Sequence, residues 1–307
     1  MGEVISTKNL SKHYGRLKAV DKVTINVKKG EIYGFLGLNG AGKTTTIRML
    51  LGLISPTSGE AFLNGVKVNP GNHAMWNNVG YLVEIPYSYP DLTVRKNLEI
   101  IRLLRFIKEK KTIDSILEKL KLDRYSEVRC KNLSQGNAQR LGLAKALIHN
   151  PEILLLDEPA NGLDPEGIVE IRKMLTDLAL NGGTTIFISS HILGEISKLA
   201  TRIGIIHEGQ IIHESSVSEM EKLRKHCVKV KARNPRGAKE LLEKNKYSIS
   251  VTDNGIIEIT GMEATQNPDK IAEILVNAGY PPLMLNTVEE DLETFFLRVI
   301  HMKGGAR

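Results

Sequence analysis

Gly37-Leu38-Asn39-Gly40-Ala41-Gly42-Lys43-Thr44, followed by Thr45, decides how this chain is read. Its spacing is G-x-x-x-x-G-K-[ST], that of a loop which grips phosphate. Residues 31–36 before it are apolar enough for a buried strand. Residues 45–52 after it carry a helical pattern that ends at Gly52. A phosphate loop needs this strand–loop–helix setting. Its glycines let backbone N–H groups close around the β- and γ-phosphates, and the helix N-terminus adds partial positive charge. Asn39, Gly40, Ala41, Gly42, Lys43, Thr44 and Thr45 are therefore expected to bind the phosphates of a nucleotide. Lys43 would neutralise phosphate oxygens and the Thr44 hydroxyl would ligate Mg²⁺.

Three further stretches supply what hydrolysis requires. Ile153-Leu154-Leu155-Leu156-Asp157-Glu158 reads as a strand buried on both faces that ends in two carboxylates. Asp157 is expected to hold Mg²⁺. Glu158 sits where a carboxylate orients or deprotonates the water attacking the γ-phosphate. Asn132-Leu133-Ser134-Gln135-Gly136-Asn137 opens a helix rich in Leu and Ala, so Ser134 and Gly136 offer a hydroxyl and backbone N–H groups to an anion. Read without function, Ser134 is a helix cap. Ser189-Ser190-His191 ends another strand, and His191 is expected to contact the γ-phosphate and the water.

Bulk properties bound the class. The 307 residues suffice for two domains, and 41% hydrophobic with 25% charged residues describes a globular protein. No apolar run reaches the roughly 18 residues that span a bilayer. The N-terminal residues include Glu3 and no apolar core, which does not fit a secretory signal. Two cysteines, Cys130 and Cys227, give neither a disulfide framework nor a Cys/His metal cluster, which suits a reducing cytosol. Net charge is +7, with basic clusters at 95–111 and 222–246. Such clusters could face nucleic acid or an anionic membrane, but solvated faces explain them as well.

Alternating strands and helices predict an α/β fold: a mainly parallel sheet, an antiparallel β lobe and a helical insertion at about 88–150 within a nucleotide-binding domain of residues 1–220. The β lobe is expected from strands at 4–10 and 20–27 and from a hairpin at 61–68 turning on Asn64-Gly65. Asp164-Pro165 starts a helix that stops at Asn181-Gly182-Gly183. Residues 217–226 read as a linker. Residues 221–307 form a small accessory α+β domain in the order βαββαβ, a ferredoxin-like pattern with a hairpin at Asp253-Asn254-Gly255 and a closing helix striped by Leu292, Phe295, Phe296 and Val299.

The phosphate loop, the Leu-Ser-x-Gly segment, the Asp-Glu strand, the Asn161-Gly162-Leu163-Asp164 turn and His191 follow one another as in ABC transporter ATPase subunits, which residues 3–216 resemble. That resemblance implies that Tyr14 stacks on adenine. It implies that Ser134 and Gly136 close over ATP held by a second subunit, and that Asp164 lies between the two sites. Hydrolysis then needs a head-to-tail dimer, expected as a homodimer, with two different ATPase chains as the alternative. With no span of its own, the chain would sit peripherally on the cytoplasmic face of the membrane. It would drive an integral membrane permease; the segment 84–92 with Tyr87 and Tyr89 is the candidate dock, a plain core role for these tyrosines being the alternative. No nucleic acid partner is expected.

Two departures from the family pattern stand out. Gln135 and Asn137 replace Gly and Gln in the usual Leu-Ser-Gly-Gly-Gln signature. Glu84 follows Gly80-Tyr81-Leu82-Val83 where most members place a Gln near Mg²⁺; a carboxylate there is still an oxygen ligand. Glu84, residues 32–37 and residues 186–193 resemble the ATPases of bacitracin exporters and of lantibiotic self-immunity transporters, which implies export of a peptide antibiotic. Lipid, polysaccharide or drug cargo are the alternatives. A non-transport ATPase acting on nucleic acid or ribosomes is a more distant one.

Overall fold

The computed structural model describes residues 2–84, 86–252 and 254–304, with Lys303 and Gly304 described by backbone alone. Met1, Ile85 in the expected docking segment and Asp253 in the expected hairpin turn lie outside the described residues, as do 305–307. The chain divides into two compact units, the first ending at Val217 and the second comprising Ser218–Met302.

The first unit opens with β1 (Glu3–Tyr14), β2 (Leu17–Val23) and β3 (Asn26–Lys28). β4 (Ile32–Leu36) enters a different sheet and runs through the loop into α1 (Lys43–Leu50). β5 (Ser58–Leu63) and β6 (Val66–Lys67) return to the first sheet, whose order is β2-β1-β5-β6 with β3 on β1. All its pairings are antiparallel. The β5–β6 turn falls on Asn64 and Gly65, both at positive φ (49° and 74°), as a tight hairpin matched to strand twist requires.

α2 (His73–Trp76) and β7 (Val79–Leu82) lead into three helices, α3 (Val94–Leu104), α4 (Lys111–Lys119) and α5 (Gln135–Leu147). Then follow β8 (Ile153–Asp157), α6 (Pro165–Leu180), β9 (Thr185–Ser190), α7 (Leu193–Ile196), β10 (Arg202–His207) and β11 (Gln210–Ser216). The second sheet has the order β11-β10-β4-β9-β8-β7 and is parallel except for β10–β11. Every residue of β4, β8 and β9 is buried, the mark of parallel strands covered on both faces. Tyr33 and Phe187 stack at 5.4 Å and Phe35 tilts onto Phe187 at 5.2 Å, which binds β4 to β9. This is the α/β fold the sequence implies.

Residues 217–223 are helix, not open linker: α8 (Val217–Leu223) buries Met220. Ser216-Val217-Ser218-Glu219 carries the S-x-x-E spacing that starts helices, which explains the difference. The second unit continues with β12 (His226–Ala232), α9 (Pro235–Lys244), β13 (Ser248–Val251), β14 (Ile257–Thr260), α10 (Met262–Gln266), α11 (Pro268–Asn277), β15 (Pro282–Glu289) and α12 (Leu292–Gly304). Its antiparallel sheet has the order β13-β14-β12-β15. Val228, Val230, Ile257 and Ile259 pack there with Ala238 and Leu242 of α9 and Ile271 and Leu275 of α11.

Candidate active site

Parallel register builds the site. β9 lies between β4 and β8, and the pairings Leu36↔Ser190 and Asp157↔Ser189 bring the carboxyl ends of three strands level. The chain therefore leaves the sheet at Gly37, Glu158 and His191 side by side, at the edge where ligands of such sheets bind.

The loop after β4 bends through Gly40 (φ 81°) and Gly42 (φ 108°), and a Cβ on Gly42 would lie 2.4 Å from the Ala19 carbonyl oxygen, so no other residue fits there. No side chain caps α1, and its first-turn N–H groups, on Lys43, Thr44 and Thr45, have no helical acceptor. They are free to meet an anion. Lys43 is only 6% exposed. Its ammonium donates to the carbonyls of Gly37 (2.7 Å) and Leu38 (3.3 Å) and lies 3.3 Å from Glu158 Oε1. His191 Nδ1 is 2.8 Å from Glu158 Oε2; a carboxylate only accepts, so that nitrogen carries the proton. Glu158 thus joins Lys43 to His191.

Thr44 Oγ1 donates to Asp157 Oδ2 at 2.7 Å, and Ser189 Oγ donates to Asp157 Oδ1 at 2.5 Å. Among the described residues no group of three or more His, Cys, Asp or Glu side chains could enclose a metal. What the chain offers a cation at this point is one hydroxyl and one buried carboxylate. That donor set fits a hard ion that keeps waters and substrate oxygens in its shell, as Mg²⁺ does.

The remaining expected residues lie elsewhere. Ser134 caps α5, accepting from Asn137 N–H, and Asp164 caps α6, accepting from Gly167 N–H at 3.1 Å. A Cβ on Gly136 would come within 3.1 Å of the Gly162 carbonyl, and one on Gly162 would strike the Gln135 side chain. Ser134, Gly136 and Asp164 therefore share one cleft of about 560 Å³ with Arg124 and Arg140; neither Lys43 nor Thr44 lines it. Tyr14 is half exposed at the end of β1 with the Lys12 ammonium 5.2 Å above its ring. Glu84 (φ 59°) is exposed and ion-paired with Arg48, in the last turn of α1.

A family model described as ABC transporter matches residues 20–161. The bacitracin transport ATP-binding protein BcrA of Bacillus licheniformis is 41% identical over 302 residues, 98% of each chain. The lantibiotic transport ATP-binding protein SrtF of Streptococcus pyogenes is 38% identical over 220 residues, 72% of this chain and 94% of its own. This chain belongs to the ABC transporter ATP-binding family. Among solved structures, the dimeric post-hydrolysis state of an ATP-binding cassette bound to ADP and Pi superposes with a TM-score of 0.65 at 25% identity, over 69% of this chain and 98% of that one. The present protein is thus an ABC ATPase that binds and hydrolyses ATP.

Two residues of this ABC ATPase escaped the sequence reading. Ser189 receives the Glu158 N–H (3.2 Å) while donating to Asp157, so one hydroxyl fixes both carboxylate residues. Gln139, 5% exposed, donates from Nε2 to the carbonyls of Pro159 (3.0 Å) and Glu158 (3.4 Å). Ser189 was findable, since it directly precedes Ser190-His191 on a strand paired with Asp157. Gln139, in the middle of a helix, carried no such signal.

Proposed function

We propose that this ABC ATPase is one of two identical nucleotide-hydrolysing subunits of an exporter that moves a peptide antibiotic through a separate membrane permease. The observation that carries the reading is the separation of Lys43, Thr44, Asp157, Glu158 and His191 from the cleft of Ser134, Gly136 and Asp164. A head-to-tail pair sets the cleft of one chain against the phosphate loop of the other and completes two sites. Tyr14 then lies against adenine, and residues 39–45 hold the phosphates. Thr44 and Asp157, with Glu84 as a further oxygen donor, are the residues that would hold Mg²⁺. When bound, Mg²⁺ offsets the negative charge of the β- and γ-phosphates. Glu158 takes the proton of the attacking water, His191 steadies the water and the γ-phosphate, and the products are ADP and inorganic phosphate.

No helix among the described residues is long and apolar enough to cross a membrane, so the export path belongs to a partner. The chain works at the cytoplasmic face. Tyr87 (76% exposed) and Tyr89 stand edge to face, ring centroids 5.9 Å apart, and serve as anchors for the permease. Lys145 of α5 donates to the Tyr87 carbonyl (2.8 Å) and Ser88 Oγ (2.7 Å), which links this docking segment to the helix that carries Ser134. The bacitracin and lantibiotic transport relatives, together with Glu84, favour a peptide antibiotic as cargo. The test is ATP hydrolysis by the chain and its permease in lipid vesicles. Bacitracin or a lantibiotic should raise turnover several-fold; stimulation by polysaccharide or lipid precursors alone would contradict the cargo.

A further inference from the structure

Glu158 holds a left-handed backbone (φ 50°), a conformation that costs a residue with a Cβ about 1 kcal/mol and persists only where its surroundings over-determine it. Strand β9 supplies one restraint: Glu158 N–H meets the carbonyl and the hydroxyl of Ser189, both at 3.2 Å. The other restraint comes from α5. The Gln139 amide donates to the carbonyls of Glu158 and Pro159, so the two peptide units after Glu158 are tied to that helix. Two carbonyls together demand a donor, and a flipped amide would set its own oxygen against them. The same helix is capped by Ser134 and carries Gly136 in its first turn, and Arg140 Nη2 on Glu170 Oε2 of α6 at 2.9 Å braces it further.

We propose that Gln139 is a positioning residue that couples the two ATP sites of the dimer: it makes the turn holding a chain's own Glu158 move as one body with the Ser134–Gly136 segment that serves the opposite nucleotide. The inference rests on the two-subunit reading above. When Ser134 and Gly136 engage the partner's ATP, α5 is fixed in place, and through Gln139 the chain's own carboxylate is fixed too. One site thereby reports its occupancy to the other without any contact between the nucleotides. Gln139 touches neither substrate nor reacting atoms.

The test uses the full-length chain with ATP and Mg²⁺. Gln139→Met keeps the volume and helix propensity but removes both donors; Gln139→Leu is the second variant should the first fold poorly. The expected result is a kcat about tenfold lower, a half-saturating ATP concentration changed less than about twofold, and a Hill coefficient for hydrolysis falling from near 2 toward 1. A structural role alone would lower melting temperature and ATP affinity together and leave the Hill coefficient of the folded fraction unchanged. Unaltered cooperativity in folded Gln139→Met, with the parent chain cooperative, overturns the coupling. Failure of the Glu158→Gln chain to pair in ATP sinks the two-subunit reading instead, and that measurement does not involve Gln139.

Discussion

Lys43 shows how far a single side chain determines this site. Its buried ammonium is held by two carbonyls of its own loop and by Glu158, and in the proposed site it would exchange those carbonyl acceptors for phosphate oxygens. Lys43→Ala should weaken ATP binding at least about tenfold, since charge-assisted hydrogen bonds are worth about 1.5–3 kcal/mol each. Titration with a fluorescent ATP analogue measures this; unchanged affinity would remove Lys43 from the phosphate site. At this scale the sequence was highly readable. Gly37 to Thr44, Asp157, Glu158 and His191 announce themselves by spacing because phosphate chemistry permits few residue types at fixed places. Glu84 was not readable in the same way: its position after β7 was evident, its pairing with Arg48 was not, because an ion pair between distant helix and loop leaves no spacing signal.

At the scale of elements, α5 is the connector. Its first turn carries Ser134 and Gly136, its middle holds Gln139 and Arg140, and Lys145 near its end fastens the segment at Tyr87 and Ser88. Just beyond it, His149 donates from Nε2 to the Val79 carbonyl (3.1 Å), while its Nδ1 is buried with no partner. Burial, and then the neighbouring Arg105, hold its pKa down to about 4 from an ordinary 6.5. The unfolded chain therefore takes up this proton below pH 6.5 while the folded chain refuses it until about pH 4. The stabilisation is complete above pH 6.5 and is lost as pH falls toward 4; after allowance for partial exposure it amounts to on the order of 1–2 kcal/mol. Denaturant unfolding at pH 7.0 and 4.5 should show a smaller drop for His149→Gln than for the parent, and equal drops would rule the imidazole out. Strand and helix identities were legible here because apolar runs and caps such as Asp164-Pro165 are local. The helical character of 217–223 hid behind polar residues although its S-x-x-E start was present.

At the scale of the whole molecule, the proposed function requires the fold to carry two half-sites, neither complete alone. Lys43, Thr44, Asp157, Glu158 and His191 converge because β4, β9 and β8 are neighbours in one parallel sheet, whereas Ser134, Gly136 and Asp164 are gathered by the starts of α5 and α6. Strand order and the convergence it enforces follow from three-dimensional packing, and the sequence alone revealed them only through resemblance to a family. The most direct measurement is the solution mass of the full-length Glu158→Gln chain, by light scattering, with and without ATP and Mg²⁺. Replacing the base should slow turnover at least about a hundredfold and trap the bound state. The account predicts a doubling of mass on adding ATP. A chain that binds ATP with undiminished affinity yet keeps the mass of a single protomer would contradict it.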